Sequence, residues 1–250
     1  MHAYRVIAVA GTIAGALALV SPTIHAQAAA PSRVGIVVDL GFVQSSGNTE
    51  VSTFSLGQKA SWKPNDRWSF AQFLRSVYGQ TGDSVTANSF NAGVSADYSF
   101  VGFVPGIGLT AGATYERNKF SGIDRRTEQS LGLVWRGATA RADSLRIDAG
   151  AVATQQVGVD DTEDDFISAR AGVWYKRPIG AGAYFQQTVE ALPNLETSED
   201  WRINSETSLV APISAKIGLK LSYVVRYDNL PQPTFEKSDR ILTAGVQITR

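Results

Sequence analysis

The chain has no cysteine. That one absence removes disulfides, thiol nucleophiles, CxxC zinc or redox sites and a lipidated cysteine anchor. Histidine is nearly absent: His2 and His25 are the only two, and both fall in an N-terminal stretch that reads as an export signal. Excess charge of either sign is missing as well, since 23 Lys and Arg balance 23 Asp and Glu at only 18% charged residues. A neutral chain offers no basic footprint for a polyanion, so nucleic acid is not an expected partner. Finally, after Pro31 no window comes near the 18 or so consecutive apolar residues of a membrane helix, and no long stretch keeps a 3.6-residue apolar stripe.

What is present begins with that N-terminal stretch. Arg5 supplies a positive charge, residues 6–20 form an Ala-rich apolar run, and Ser21 and Pro22 break it ahead of small residues at Ala26, Ala28 and Ala29. About fifteen apolar residues interrupted by Gly11 and Gly15 are short for a span of about twenty. Residues 1–28 are therefore expected to be a cleaved signal peptide and 29–250 a single exported domain without histidine.

Within that domain the recurring signal is period two. Residues 34–44 and 51–62 alternate and flank Ser45, Ser46, Gly47, Asn48, Thr49 and Glu50, a hairpin signal because Gly47 and Asn48 tolerate the positive φ of a tight turn. Further on, Phe90, Ala92, Val94, Ala96 and Tyr98 oppose Ser89, Asn91, Gly93, Ser95 and Asp97; Leu219, Leu221 and Tyr223 oppose Gly218, Lys220 and Ser222. Each segment has one greasy and one polar face. The phase is obscure over 68–78 and 202–211. About twelve segments at roughly 18 residues each match strands that cross a bilayer at a tilt. Their connections alternate between short ones and longer polar ones, as periplasmic turns and outer loops do. The fold class expected is all-β: a closed antiparallel transmembrane β-barrel of about 12 strands in an up-and-down meander.

A soluble β-sandwich also alternates, but two features argue for the membrane. The greasy face is built of Ala, Leu and Val with aromatics near strand ends, including Trp62, Trp68, Tyr98, Phe100, Tyr115, Trp135, Trp174, Tyr175, Trp201 and Tyr227, as interfacial girdles are. The other face carries mid-strand charges of both signs: Asp97, Glu116, Arg146, Asp148, Arg170, Glu190, Glu206, Lys220 and Arg226. A closed barrel keeps these wet or paired in its lumen.

The segment Leu40, Gly41, Phe42, Val43, Gln44, Ser45, Ser46, Gly47, Asn48, Thr49 resembles the opening signature of the YdiY-like salt-induced outer-membrane protein family, a domain of unknown function. The stretch Tyr115 to Arg126 and the run Arg226, Tyr227, Asp228, Asn229 followed by Pro231, Pro233, Phe235, Glu236, Lys237 and Asp239 resemble it too. The resemblance implies an outer-membrane barrel of a Gram-negative envelope linked to salt stress, with no catalytic residues to carry over. One departure is the end of the chain, Gln247, Ile248, Thr249 and Arg250, where many outer-membrane barrels place the aromatic residue read by the assembly machinery.

Catalysis is not expected, because the exported domain lacks the imidazole that most acid–base and nucleophilic sites need near neutral pH, and no cofactor is implied. Asp160, Asp161, Glu163, Asp164 and Asp165 form a weak metal candidate in an outer loop, since hard cations take oxygen ligands, against the plainer reading of a solvated charge run. Arg117, Lys119, Arg125 and Arg126 form a basic counterpart that could meet lipopolysaccharide phosphates. A mixed-sign lumen does not predict strong ion selectivity. It leaves two versions of the interior: a narrow water path, or a polar plug in which Arg146 pairs with Asp148 and Arg226 with Glu190 or Glu206. The reading is a non-enzymatic, monomeric outer-membrane barrel, either an envelope-stress structural protein or a narrow passive channel for small solutes. Its partners would be the lipid bilayer, lipopolysaccharide and the outer-membrane assembly machinery. The rivals are a periplasmic β-sandwich binding module and, behind it, a barrel enzyme acting on envelope lipid.

Overall fold

The computed structural model describes residues 34–46, 51–81, 84–100, 102, 104–138 and 143–249. They form twelve strands: β1 Val34–Ser46, β2 Val51–Trp62, β3 Trp68–Thr81, β4 Ser84–Ser99, β5 Ile107–Asn118, β6 Ile123–Ala138, β7 Ser144–Gly158, β8 Glu163–Gly180, β9 Ala183–Pro193, β10 Trp201–Pro212, β11 Ile217–Asp228 and β12 Ser238–Thr249. Each pairs antiparallel with its sequence neighbours, and β1 closes the ring on β12 from Val37 opposite Thr249 to Ser46 opposite Arg240. The expected up-and-down barrel is the observed one. Closure satisfies every strand edge, which a sheet in hydrocarbon requires.

Alternation decides which residues face lipid. Along β11, Leu219, Leu221 and Tyr223 are exposed while Gly218, Ser222 and Val224 are buried. The same division puts Leu131 and Leu133 of β6, at 64% and 56% exposure, on the outside and Val134, at 1%, within. Large apolar side chains exposed to this degree all round a closed barrel are the lipid-facing band of a transmembrane barrel. Aromatics gather at its rims. Near the rim that carries both chain ends, Trp62, Phe70, Trp68, Tyr98 and Phe100 form a ladder with centroids 5.0–5.9 Å apart, and at the far rim Trp201 stacks on Tyr227 at 4.9 Å. Trp174 departs from the girdle expected of it, because it shares the inward face of β8 with Arg170 and Gly172.

Two glycine pairs set the curvature. Gly41 lies opposite Gly245 across the β1–β12 seam, and Gly132 opposite Gly150 across β6–β7, on opposite sides of the ring. A β-carbon on Gly245 would run into the Leu40 carbonyl oxygen, and one on Gly150 into that of Leu131. Only glycine permits backbones to approach so closely at a bend.

The connections differ in detail from the expected ones. The turn containing Gly47 and Asn48 lies outside the described residues. Between β2 and β3, Asn65 Oδ1 accepts the N–H groups of Arg67 and Trp68, both at 2.9 Å, so a short amide side chain closes the turn. At the far rim, β5 continues to Asn118, a 3-10 turn spans Lys119–Ser121, and Gly122 (φ 80°) leads straight into β6. Arg125 and Arg126, expected in a loop, are therefore strand residues beside a register shift. Likewise Glu163, Asp164 and Asp165 belong to β8, opposite Val157, Gln156 and Gln155. The register shifts lie near strand ends, where bulges re-aim chains at barrel rims.

Candidate functional site in the barrel lumen

The nine charges read from the sequence as lumen candidates all face inward, and each is held by a partner. A belt of alternating sign runs along the wall. Arg136 and Arg146 both bind Asp97, the latter at 2.8 Å; Arg146 also reaches Asp148 at 3.3 Å; Arg170 spans Asp148 at 3.1 Å and Glu190 at 2.6 Å; and Asn204 Nδ2 donates to Glu190 at 3.1 Å. Three guanidinium groups thus share three carboxylates. The register explains the room they occupy: Arg170 lies opposite Gly150, and Asp148 opposite Gly172, where a β-carbon would meet the Asp148 carboxylate at 2.6 Å.

A second group crosses the bore. Arg226 of β11 donates to Glu116 of β5 at 2.5 Å, from strands half a ring apart, and Arg126 adds a second cation to Glu116 at 3.7 Å. Arg202 of β10 reaches Glu128 of β6 at 2.9 Å and the Thr154 hydroxyl of β7 at 3.4 Å. Of the alternatives left open for the interior, the Arg146–Asp148 pair forms, whereas Arg226 takes Glu116 in place of Glu190 or Glu206. Glu116 sits two residues from the end of β5 and Arg226 two from the end of β11, so they meet at one level; Glu206 is five residues down β10.

The third group sits deeper. Arg75 of β3 crosses to Glu206 of β10 at 3.2 Å, and Lys220 of β11 lies 2.9 Å from Asp39 and 3.4 Å from Glu206. Ser222 donates to Glu206 at 3.1 Å and Gln247 to Asp39 at 3.1 Å. Lys59 of β2 completes this group. Arg75, Lys59 and Asp39 were not separated from other strand charges in the sequence; what marks them is the register, which sets both Asp39 and Arg75 opposite the bare Gly57.

The far mouth is partly covered. The nine-residue connection 229–237, between β11 and β12, reaches across to the β5–β6 turn: a β-carbon on Gly122 would lie 3.0 Å from Gln232 Cβ and 3.1 Å from Phe235 Cδ2. Asn118 Nδ2 donates to Ser121 Oγ, which in turn donates to Asp239 of β12, both at 2.7 Å. A loop and a hydroxyl relay therefore tie opposite walls together. Beneath them lies a small cavity of mixed lining, with Arg75, Glu116, Asn118 and Arg226 beside Val77 and Ile241.

A family model described as a protein of unknown function, DUF481, matches residues 38–249. The chain belongs to this family. The match takes in β1 from Val38 onward, all of β2 to β12 and all the lumen charges above. No curated protein matches the chain in sequence. Among solved structures, this DUF481 barrel is similar to the NanC porin at 13% identity and a TM-score of 0.57, with 84% of this chain and 98% of the porin covered. It is similar to the COG4313 outer-membrane channel of Pseudomonas putida F1 at 11% identity and 0.51, covering 89% and 97%. The KdgM porin in complex with disordered oligogalacturonate follows at 10% and 0.50, covering 85% and 98%. At such identities the likeness is one of fold.

The loop candidates fare differently from the lumen charges. Strand β8 turns Asp164 to the opposite face from Glu163 and Asp165, and Asp160 Oδ1 accepts the Thr162 N–H at 3.1 Å, which stabilises the charged carboxylate and holds its pKa below the ordinary value. Among the described residues no three acidic groups converge to hold an ion, these five included. The basic set divides as well. Lys119 pairs with Asp124 at 2.7 Å, Arg126 turns inward to Gln156 at 2.6 Å, and only Arg117 and Arg125 are left exposed on the outer surface of the far rim.

Proposed function

We infer that this barrel is a narrow passive channel of the outer membrane for small polar solutes, with no enzymatic role. The observation that carries this reading is the lumen: a polar bore whose charges are mostly held in pairs along and across the wall, narrowed by Arg75–Glu206 and Arg226–Glu116 without a folded plug domain among the described residues. The fold shared with two porins and a channel supports it. Export through cleavage of residues 1–28, a monomeric state, a periplasmic position for the rim bearing both chain ends, and assembly by the outer-membrane machinery belong to the same proposal. So does contact of Arg117 and Arg125 with lipopolysaccharide phosphates: both stand at the far rim, above the outward pair of Phe90 and Tyr115.

The salt-stress setting implied by the resemblance fits the same bore. Cross-lumen pairs whose side chains keep 14–31% exposure to lumen water are weakened as salt screens them. The test is planar-bilayer recording of the folded, signal-free barrel. Resolvable current steps, growing faster with salt than bulk conductivity does, are expected. A folded, heat-modifiable barrel that conducts nothing would overturn the channel reading in favour of a sealed structural barrel.

A further inference from the structure

Among the described residues pairing leaves Lys59 over, and it stands beside the Arg75–Glu206 crossing. Along the wall belt, Arg136, Arg146 and Arg170 are matched by Asp97, Asp148 and Glu190. Around the Arg75–Glu206 bridge the balance fails, because Lys59, Arg75 and Lys220 share only Asp39 and Glu206. Both carboxylates are already engaged: Lys220 lies against each, Arg75 holds Glu206, and Ser222 and Gln247 donate to them as well. Lys59 is exposed to the lumen and, among the described residues, no carboxylate comes within ion-pair distance of it, although it lies in the field of Glu206 and Asp39. It lies on the inward face of β2 with Ser55, Gly57 and Ser61, so its ammonium group points to lumen water and not to lipid.

We propose that Lys59, backed by Arg75 and Lys220, is a small-anion site at the Arg75–Glu206 constriction of the bore and makes the channel anion-selective. The inference rests on the channel reading above. Arg75 and Glu206 stand on β3 and β10, on nearly facing walls, so their 3.2 Å contact marks a level where a permeating ion has little water around it, as Arg226–Glu116 does nearer the far mouth. At that level the fixed charge next to the path decides which sign enters, because field lines are focused between low-dielectric walls. Three cations against two shared carboxylates give that level a net positive charge. A hydrated chloride or small carboxylate meets an ammonium group that no carboxylate touches, whereas a cation finds both carboxylates taken.

A second unpaired cation lies on the side of the bore toward the chain ends. Lys176 shares the inward face of β8 and stacks 3.9 Å over the Tyr184 ring instead of meeting a carboxylate. It extends the positive potential toward that mouth. The acidic groups Glu116 and Glu128 near the far mouth are each held by guanidinium, which blunts the opposing field there.

Reversal potentials of the folded barrel in a tenfold KCl gradient test the assignment. The wild type is expected to show chloride permeability several-fold above potassium. Lys59→Arg should keep the preference, Lys59→Gln should bring the ratio toward one, and Lys59→Glu should reverse its sign, each variant being checked for the heat-modifiable folded form. A current with no anion preference, or a preference unmoved by Lys59→Glu, would overturn the anion site while leaving the channel. A folded barrel that passes no current in any variant would overturn both.

Discussion

The Glu116–Arg226 contact joins strands half a ring apart, so each residue can be judged by what its loss leaves behind. Their side chains are 14% and 28% exposed, and Glu116 keeps Arg126 only at 3.7 Å. Removing one member of a buried pair typically costs about 3–5 kcal/mol because an unpaired charge stays inside. Lumen water softens that here. Arg226→Ala is expected to destabilise the barrel by roughly 2–3 kcal/mol in urea unfolding from lipid vesicles, just below that range. Glu116→Gln with Arg226→Gln should lose less than the sum of the singles, by about 1–2 kcal/mol of coupling. Additive losses would show that the pair spans the bore without energetic consequence. Such a pairing is invisible in sequence, since residues 110 apart meet only once closure brings β5 and β11 face to face.

At the scale of the strand, most of the barrel was readable because one face of each is uniformly greasy. The two segments whose phase was obscure, β3 and β10, show what obscures it. On β3 the lipid side carries Gln72 among Trp68, Phe70 and Leu74, while Phe73 and Val77 face inward. On β10 the lipid side carries Ser205 and Thr207. These polar groups satisfy one another across strands: Gln72 Nε2 donates to Gln58 Oε1 at 2.6 Å, Thr207 Oγ1 donates to Gln187 Oε1 at 2.6 Å, and Gln187 Nε2 donates to Ser205 at 2.9 Å. Single-strand alternation cannot see such pairing. Replacing both partners of a hydrogen bond with apolar groups is near neutral or stabilising, whereas replacing one strands the other. Gln58→Leu with Gln72→Leu is therefore expected to raise the unfolding midpoint, and either single change to lower it or leave it flat; a single change as favourable as the double would contradict the pairing. The connection 229–237 offers a second element-scale test. Trimming it to a short turn frees Gly122 from Gln232 and Phe235, and single-channel conductance should rise, with no change in the sign of selectivity, since the loop lies far from Lys59.

For the molecule as a whole, inside and outside follow from one parity carried round twelve strands, with shifts confined near the rims. The lumen charges could be picked out from sequence because they sit mid-strand on the face opposite the greasy one. Their pairing scheme and the leftover cation could not, because both depend on which strands face each other across the bore. Tryptophan position tests the parity directly. Of the five tryptophans, Trp62, Trp68, Trp135 and Trp201 lie on the lipid side near the rims, while Trp174 shares the inward face with Arg170 and Lys176. In single-tryptophan variants reconstituted into vesicles, quenchers placed at interfacial depth on lipid chains should dim the first four strongly. Trp174 should ignore them and answer to small aqueous quenchers instead. An anionic aqueous quencher such as iodide should reach Trp174 more readily than caesium does if the bore favours anions. Quenching of Trp174 from lipid would mean that β8 is turned over, and with it the Arg170 bridge between Asp148 and Glu190.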